Sequence, residues 1–304
     1  MAVFILYFIP FAMDIVVSQL LFVGRHSLAS RGASEAVVGS IPLIYGAGYF
    51  LAGPLMRAVI RPHLAKLQML AAIGLISGLS LLLAQSSTLR TNQILFFFLP
   101  FGVSFFFNAF QAFMLGDSNR SARPLHITVA LYTFAWSLGF AIGPFVSGIT
   151  TDLFSWSSNY YLAAVFSLLI ALLIAGFRPE RRNRVEPDHG KPSRREGPPF
   201  HIPGWMGVVI GLIAWLTIAT YWPVIAAQNR ISPVTRGLVE FAFALSQGFG
   251  AFAMILLGRW QHRIIALPAF GMFGVTALLL FGNSTGPALY LIGASAVSYT
   301  HLTL

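Results

Sequence analysis

The sequence predicts an all-α integral membrane protein built as two pseudo-symmetric helix bundles. Three observations carry that expectation. Of the 304 residues, 57% are hydrophobic and only 9% are charged, whereas a soluble domain carries about 25% charged residues. The mean hydropathy is +0.76, more apolar surface than one water-soluble globule can hide. About ten stretches near the length of a bilayer-spanning helix, roughly 20 residues each, follow one another, and a single basic, proline-rich segment divides them six to four.

Taken in order, the spans fall near 2–23, 37–56, 67–85, 93–115, 125–149, 159–177, 204–226, 238–257, 264–282 and 286–300. The first begins at once, with no basic n-region before it and no small-residue cleavage site after it, so a span is expected in place of a cleaved signal peptide. It holds Asp14. Twelve residues beyond Ala2, this acid stands roughly 18 Å into a core roughly 30 Å thick. A carboxyl at such depth costs about 2.5–3.5 kcal/mol on insertion scales. It is expected to face a cavity or a partner and to carry a proton, the competing reading being a protonated Asp that only bonds a neighbouring helix. Span 2 brings Tyr45 and Tyr49 one turn apart at mid-membrane, and span 5 does the same with Tyr132 and Trp136. Such aromatics differ from an interfacial belt and could stack on a solute, although Trp136 shares a face with Gly139 and Gly143. Tyr221, Trp222 and Trp156 read as belt residues near the outer surface.

Asn108 and Gln111 in span 4 and Gln247 at the centre of span 8 add amides. Each serves either as interhelical glue, about 0.6 kcal/mol apiece, or as part of a polar lining with Asp14. Glu240 lies close to the outer end of span 8 with Arg236 one turn before it, which suggests an interfacial ion pair.

The segment from Phe177 to Pro199 is rich in Pro, Arg and Glu and has no apolar periodicity, as a linker would. The expected organisation is therefore 1–177 as a six-helix bundle, 178–203 as a basic cytoplasmic linker and 204–304 as an incomplete bundle of about four helices. With the N-terminus cytoplasmic, 14 of the 19 Lys and Arg residues fall on the inner side, as the positive-inside rule asks. The net charge of +10 is thereby explained without nucleic acid, for which no basic folded module exists.

Motifs sharpen the class. Span 5 reads LGFAIGPFVSG, and its set Ala130, Gly139, Gly143, Pro144, Ser147 and Gly148 is small apart from the proline, which permits close backbone approach and a bend. The 2–3 loop, GPLMRAVIRPHLAK, carries Gly53, Arg57, Arg61 and Lys66, and the 8–9 loop, LGRWQHR, carries Gly258, Arg259 and Arg263. On these residues and the six-to-four division the chain resembles the major facilitator superfamily of secondary transporters. The resemblance implies two six-helix bundles, a solute held between them at mid-membrane and alternating access. It also implies that about ten of twelve helices are present, the sequence being C-terminally truncated, a form not expected to transport well. The family's basic-loop motif lacks its acid here, and span 4 has no arginine, against a multidrug reading. Partners implied are a small organic solute, the lipid bilayer and protons, with the chain a monomer in the cell membrane. No cofactor is expected, symport and antiport stay open, and a non-transporting sensor or scaffold remains the alternative.

Enzymatic readings fare poorly. All seven histidines fall in loops or at span ends, no Gly-Lys-Ser/Thr phosphate loop occurs, no His/Asp/Glu group recurs at i, i+4 to bind a metal, and cysteine is absent. One central acid is too little for a membrane-embedded active site.

Overall fold

A computed structural model describes residues 2–121, 125–176 and 216–256, with side chains described outside 2–5, 57, 115–121, 125–130 and 246–256. The described chain is helical throughout: α1 (Ala2–Ser30), α2 (Glu35–Val59), a 3-10 turn (Pro62–Leu64), α3 (Ala65–Gln85), α4 (Leu89–Ser121), α5 (Leu125–Leu153), α6 (Ser158–Gly176), α7 over 216–228 and α8 (Pro233–Leu256). Six of these are long and apolar enough to cross a membrane. The linker, most of span 7 and spans 9 and 10 lie outside the described residues, as do Gly258, Arg259 and Arg263.

Two turns share one design. At the end of α1, Gly32 N–H bonds Ala29 O at 3.0 Å and Ala33 N–H bonds Leu28 O at 3.1 Å, with Gly32 at φ +81°. That is a Schellman cap, which needs a left-handed residue after the helix. The end of α7 repeats it: Arg230 N–H bonds Ala227 O at 3.1 Å, Ile231 N–H bonds Ala226 O at 2.9 Å, and Arg230 stands at φ +52°. The next helix then starts from serine in both cases. Ser34 precedes α2, and Ser232 precedes α8, where its Oγ accepts from Thr235 N–H at 3.3 Å behind Pro233 at the first helical position.

Helix α1 is the hub. It packs on α5 and α6 and more lightly on α2, while α2 lies on α4, α3 on α4 and α6, and α5 on α8. Ile9, Met13, Val16, Leu20 and Phe22 of α1 are fully buried, whereas Leu67, Leu82, Leu168 and Leu172 of α3 and α6 are exposed and face the lipid. A buried amide network crosses three helices. Gln19 Nε2 donates to Asn159 Oδ1 at 3.1 Å, and Asn159 Nδ2 donates to Thr151 Oγ1 at 2.8 Å. Asn159→Ala is expected to lower stability by about 1 kcal/mol, read as a lower unfolding midpoint in detergent titration.

Span boundaries hold closely for α3 and α6, but α1 runs seven residues past the expected 23. Arg25 and His26 are therefore helical and buried, at 4% and 0% exposure, which corrects their placement in an outer loop. The physical reason is a set of partners on other helices, described below.

Candidate functional site

A cavity of about 460 Å³ opens between α2 and α4, lined by Tyr49, Gly53, Pro54, Ser104, Phe107, Asn108 and Gln111. It lies towards the end of the bundle where α2 turns into α3. The α2 wall can come close to α4 because Gly48 lets the Phe97 carbonyl and Pro100 of α4 approach its backbone. No charged side chain occurs among these lining residues.

Of the expected polar residues, Tyr49, Asn108 and Gln111 line this cavity. Tyr45 and Tyr49 stack at 6.3 Å between ring centroids. Tyr132 stacks on Phe110 at 5.9 Å, and its hydroxyl accepts from Gln111 Nε2 at 3.4 Å. Asn108 turns its amide hydrogens back on its own helix, donating to Ser104 O at 2.8 Å and Ser104 Oγ at 3.1 Å. Asp14 does not line the cavity. It is buried on α1, its Oδ2 has no hydrogen-bond partner, and Tyr45, Tyr49 and Tyr132 are all near enough to feel its charge. Tyr49 is thus the side chain that belongs both to the cavity and to the Asp14 cluster. Trp136 is half-buried on α5. The Gln247 side chain lies outside the described residues.

The span 5 set works as helix packing on two faces. A Cβ at Gly139 would strike the Phe11 backbone of α1, and one at Gly143 would meet Ile15 O at 2.6 Å and Gln19 N at 2.8 Å. Gly148 instead faces α8, where its Cβ would lie 2.5 Å from Pro233 O, and Gly237 of α8 packs against the Pro144 and Phe145 backbone. Ser147 is buried with its Oγ unpartnered. Ala130 is helical, and its side chain is outside the described set.

The basic-loop residues also change places. Helix α2 continues to Val59, so Gly53 and Arg57 are helical and Gly53 lines the cavity. Arg61 begins the short turn, and the latch there is an amide: Gln68 Oε1 accepts from Arg61 N–H and its Nε2 donates to Val59 O, both at 3.1 Å. Lys66 Nζ caps the end of α6, donating to Ala175 O at 2.8 Å.

The pairing expected for Glu240 is overturned. Glu240 does not bond Arg236. Its Oε2 takes Arg25 Nη2 at 2.8 Å and its Oε1 meets His26 Nε2 at 2.9 Å. Arg25 further donates from Nε to Leu21 O at 2.9 Å and from Nη1 to Ala219 O of α7 at 3.2 Å. Arg236 reaches Ser30 Oγ and Ile231 O, each at 2.8 Å. The placing of all seven histidines in loops or at span ends fails for His26 for the same reason, since a buried polar ring within a helix is stable once its hydrogen bond is met. One belt assignment fails as well. Trp222 is fully buried with its indole N–H on Arg236 O at 3.4 Å, whereas Trp156 is half-buried in the α5–α6 turn and stacks on His26 at 6.3 Å. Tyr221 is half-exposed, as a belt residue would be.

No curated protein matches the chain significantly in sequence. Among solved structures, it superposes on a bacterial homolog of the human lysosomal transporter Spinster, in an inward-facing and occupied conformation, with TM-score 0.75 at 12% identity, covering 99% of this chain and 72% of that one. The nucleoside transporter NupG gives 0.67 at 13% identity, over 99% and 78%. A point variant of NupG gives 0.70 at 12% identity, over 100% of this chain and 80% of that one. At such identity these likenesses speak for the fold. The family model described as Major Facilitator Superfamily matches residues 1–303, and with it the chain is identified as a member of that superfamily, a non-enzymatic, multi-pass membrane protein for solute transport.

Proposed function

We propose that the chain moves a small organic solute by alternating access, coupled to protons through Asp14, with the N-terminus cytoplasmic. The observation that carries this is the buried, unpartnered Asp14 Oδ2 within electrostatic reach of three tyrosines, one of which, Tyr49, also lines the cavity. A lone carboxyl in a low-dielectric interior is costly when charged and cheap when protonated. Solute or conformation can alter its solvation through Tyr49 and so drive proton uptake or release. Two amides, a serine hydroxyl, a phenol and the Phe107 ring suit an uncharged, hydrogen-bonding solute. The 14-to-5 charge split supports the orientation, under which the α2–α3 end is cytoplasmic and the cavity lies on that side.

Asp14→Asn is expected to abolish gradient-driven transport in proteoliposomes while leaving counterflow of unlabelled against labelled solute intact. Gln111→Ala should instead weaken apparent affinity about tenfold, the worth of one hydrogen bond in a desolvated site. Full gradient-driven accumulation by Asp14→Asn would remove this residue from coupling.

A further inference from the structure

Arg25, His26 and Glu240 take no part in the cavity. They lie at the opposite end of α1, near the α1–α2 and α7–α8 turns, buried at 4%, 0% and 9% exposure. Glu240 divides its oxygens between Arg25 and His26. The remaining imidazole nitrogen, Nδ1, has no partner, and the ring is walled by Phe22 at 4.2 Å and Trp156 at 6.3 Å. These facts assign the protonation state. A neutral imidazole carrying its hydrogen on Nε2 donates to Glu240 and leaves only the Nδ1 lone pair without a partner. An imidazolium would bury a second N–H, at Nδ1, with no acceptor and would add a cation beside Arg25 and Arg236, a cost of the kind buried unpaired donors carry. The closed cluster therefore holds one cation, one anion and one neutral ring.

The cluster joins helices of different halves. Arg25 and His26 belong to α1, and Glu240 to α8. Arg236 of α8 adds a bond to Ser30 of α1, while Arg25 reaches the α7 backbone. The charged groups acting on His26 are Glu240, Arg25 and Arg236, and those acting on Glu240 are Arg25 and His26. On α6 stands Tyr160, within reach of Ser27 and Arg31 of the α1 end, and α7 offers the Ala219 carbonyl.

We infer that Arg25, His26 and Glu240 form a proton-binding latch between the two halves, which closes only when His26 is deprotonated and which acid on that side holds open. The inference rests on the alternating-access reading, because it requires α1 and α8 to part at this end. Once they part, water reaches all three groups. An imidazole in water is half-protonated at about pH 6.5 and a glutamate at about pH 4.3, so between roughly pH 5 and 8 only His26 changes charge. The open state binds the extra proton, and lowering the pH must shift the balance towards it.

The chain has no cysteine, so a label pair can be introduced cleanly. Ala36 at the start of α2 and Asn229 in the α7–α8 turn are exposed on the two halves at this same end. With spin labels at Ala36→Cys and Asn229→Cys in the full chain in nanodiscs, the open-to-closed ratio is expected to rise about tenfold between about pH 7.5 and about pH 5.5, the rise setting in near 6.5. His26→Gln keeps a donor for Glu240 without a titratable ring and should flatten that response. Glu240→Gln keeps the ring but removes the anion, and should favour the long distance already at the higher pH. Two distance populations whose ratio ignores pH would overturn the latch and leave alternating access standing. One distance under every condition, Glu240→Gln included, would overturn both.

Discussion

Gly143→Leu is expected to abolish the folded, monodisperse protein, whereas Gly78→Leu should leave it unchanged. At Gly143 even a Cβ would press on Ser18 Oγ and come within 2.6 Å of Ile15 O and 2.8 Å of Gln19 N. Two of these three neighbours are backbone, so no rotamer change relieves the clash, and the α1–α5 spacing itself must grow. Helix α1 cannot yield cheaply, because it is also seated on α6 and α2 and carries the Gln19–Asn159 bonds. The cost should exceed about 3 kcal/mol, beyond ordinary overpacking. Gly78 of α3 has nothing within 4 Å of its would-be Cβ and is exposed to lipid, where a leucine side chain is welcome. Size-exclusion profiles and thermal melting of the two variants in detergent check the contrast. A Gly143→Leu protein melting within a few degrees of the parent would mean that α1 and α5 do not pack as closely as the structure has them.

That contrast also marks how far the sequence could be read. The small residues of span 5 announced close helix approach, because few other reasons place Gly139, Gly143 and Gly148 four and five apart in an apolar run. What they could not announce was the partner of each. Gly139 and Gly143 serve α1, while Gly148 with Pro144 serves α8, so one stripe in the sequence is two interfaces in space. Hydropathy located α3 and α6 within two residues at either end, since there the helix and its apolar stretch coincide. It failed at α1 and α4, whose helices outrun their apolar stretches. Polar residues end a hydropathic span but do not end a helix, and Arg25 and His26 were set in a loop for that reason. A better stop signal was present: Gly32, the left-handed residue that closes α1. Glu240 was matched to Arg236 because a partner one turn away is all a single helix can offer. Its true partners are 215 and 214 residues distant, and only the meeting of α1 with α8 reveals them. Asp14 stands out because a carboxyl is rare within an apolar run, whereas Gln68, an amide at the start of span 3, draws no attention until Arg61 and Val59 are seen to need it.

Arg25→Leu is the second change expected to act strongly, and its partner substitution tells why. Removing the guanidinium leaves Glu240 buried with only the neutral ring of His26 for company, and frees the Leu21 and Ala219 carbonyls. Breaking a buried pair from one side typically costs about 3–5 kcal/mol. Arg236 does not stand in, being held by Ser30 and Ile231. Lysine should recover only part of the loss, because a single ammonium cannot span a carboxylate and two carbonyls as the planar fork of Arg25 does. The pair Arg25→Leu with Glu240→Leu, by contrast, removes both charges together and should melt well above Arg25→Leu alone, the remaining deficit being the His26 N–H left without its acceptor. If the ion pair served stability alone, that double variant would be silent in every transport assay. With the latch at work it should fold and bind yet lose the acid response of the α1–α2 end, and transport should become insensitive to pH on that side. Melting in detergent measures the first half, and initial transport rates in proteoliposomes across the pH range measure the second. A double variant with the parent's pH profile would reduce Arg25 and Glu240 to a structural pair.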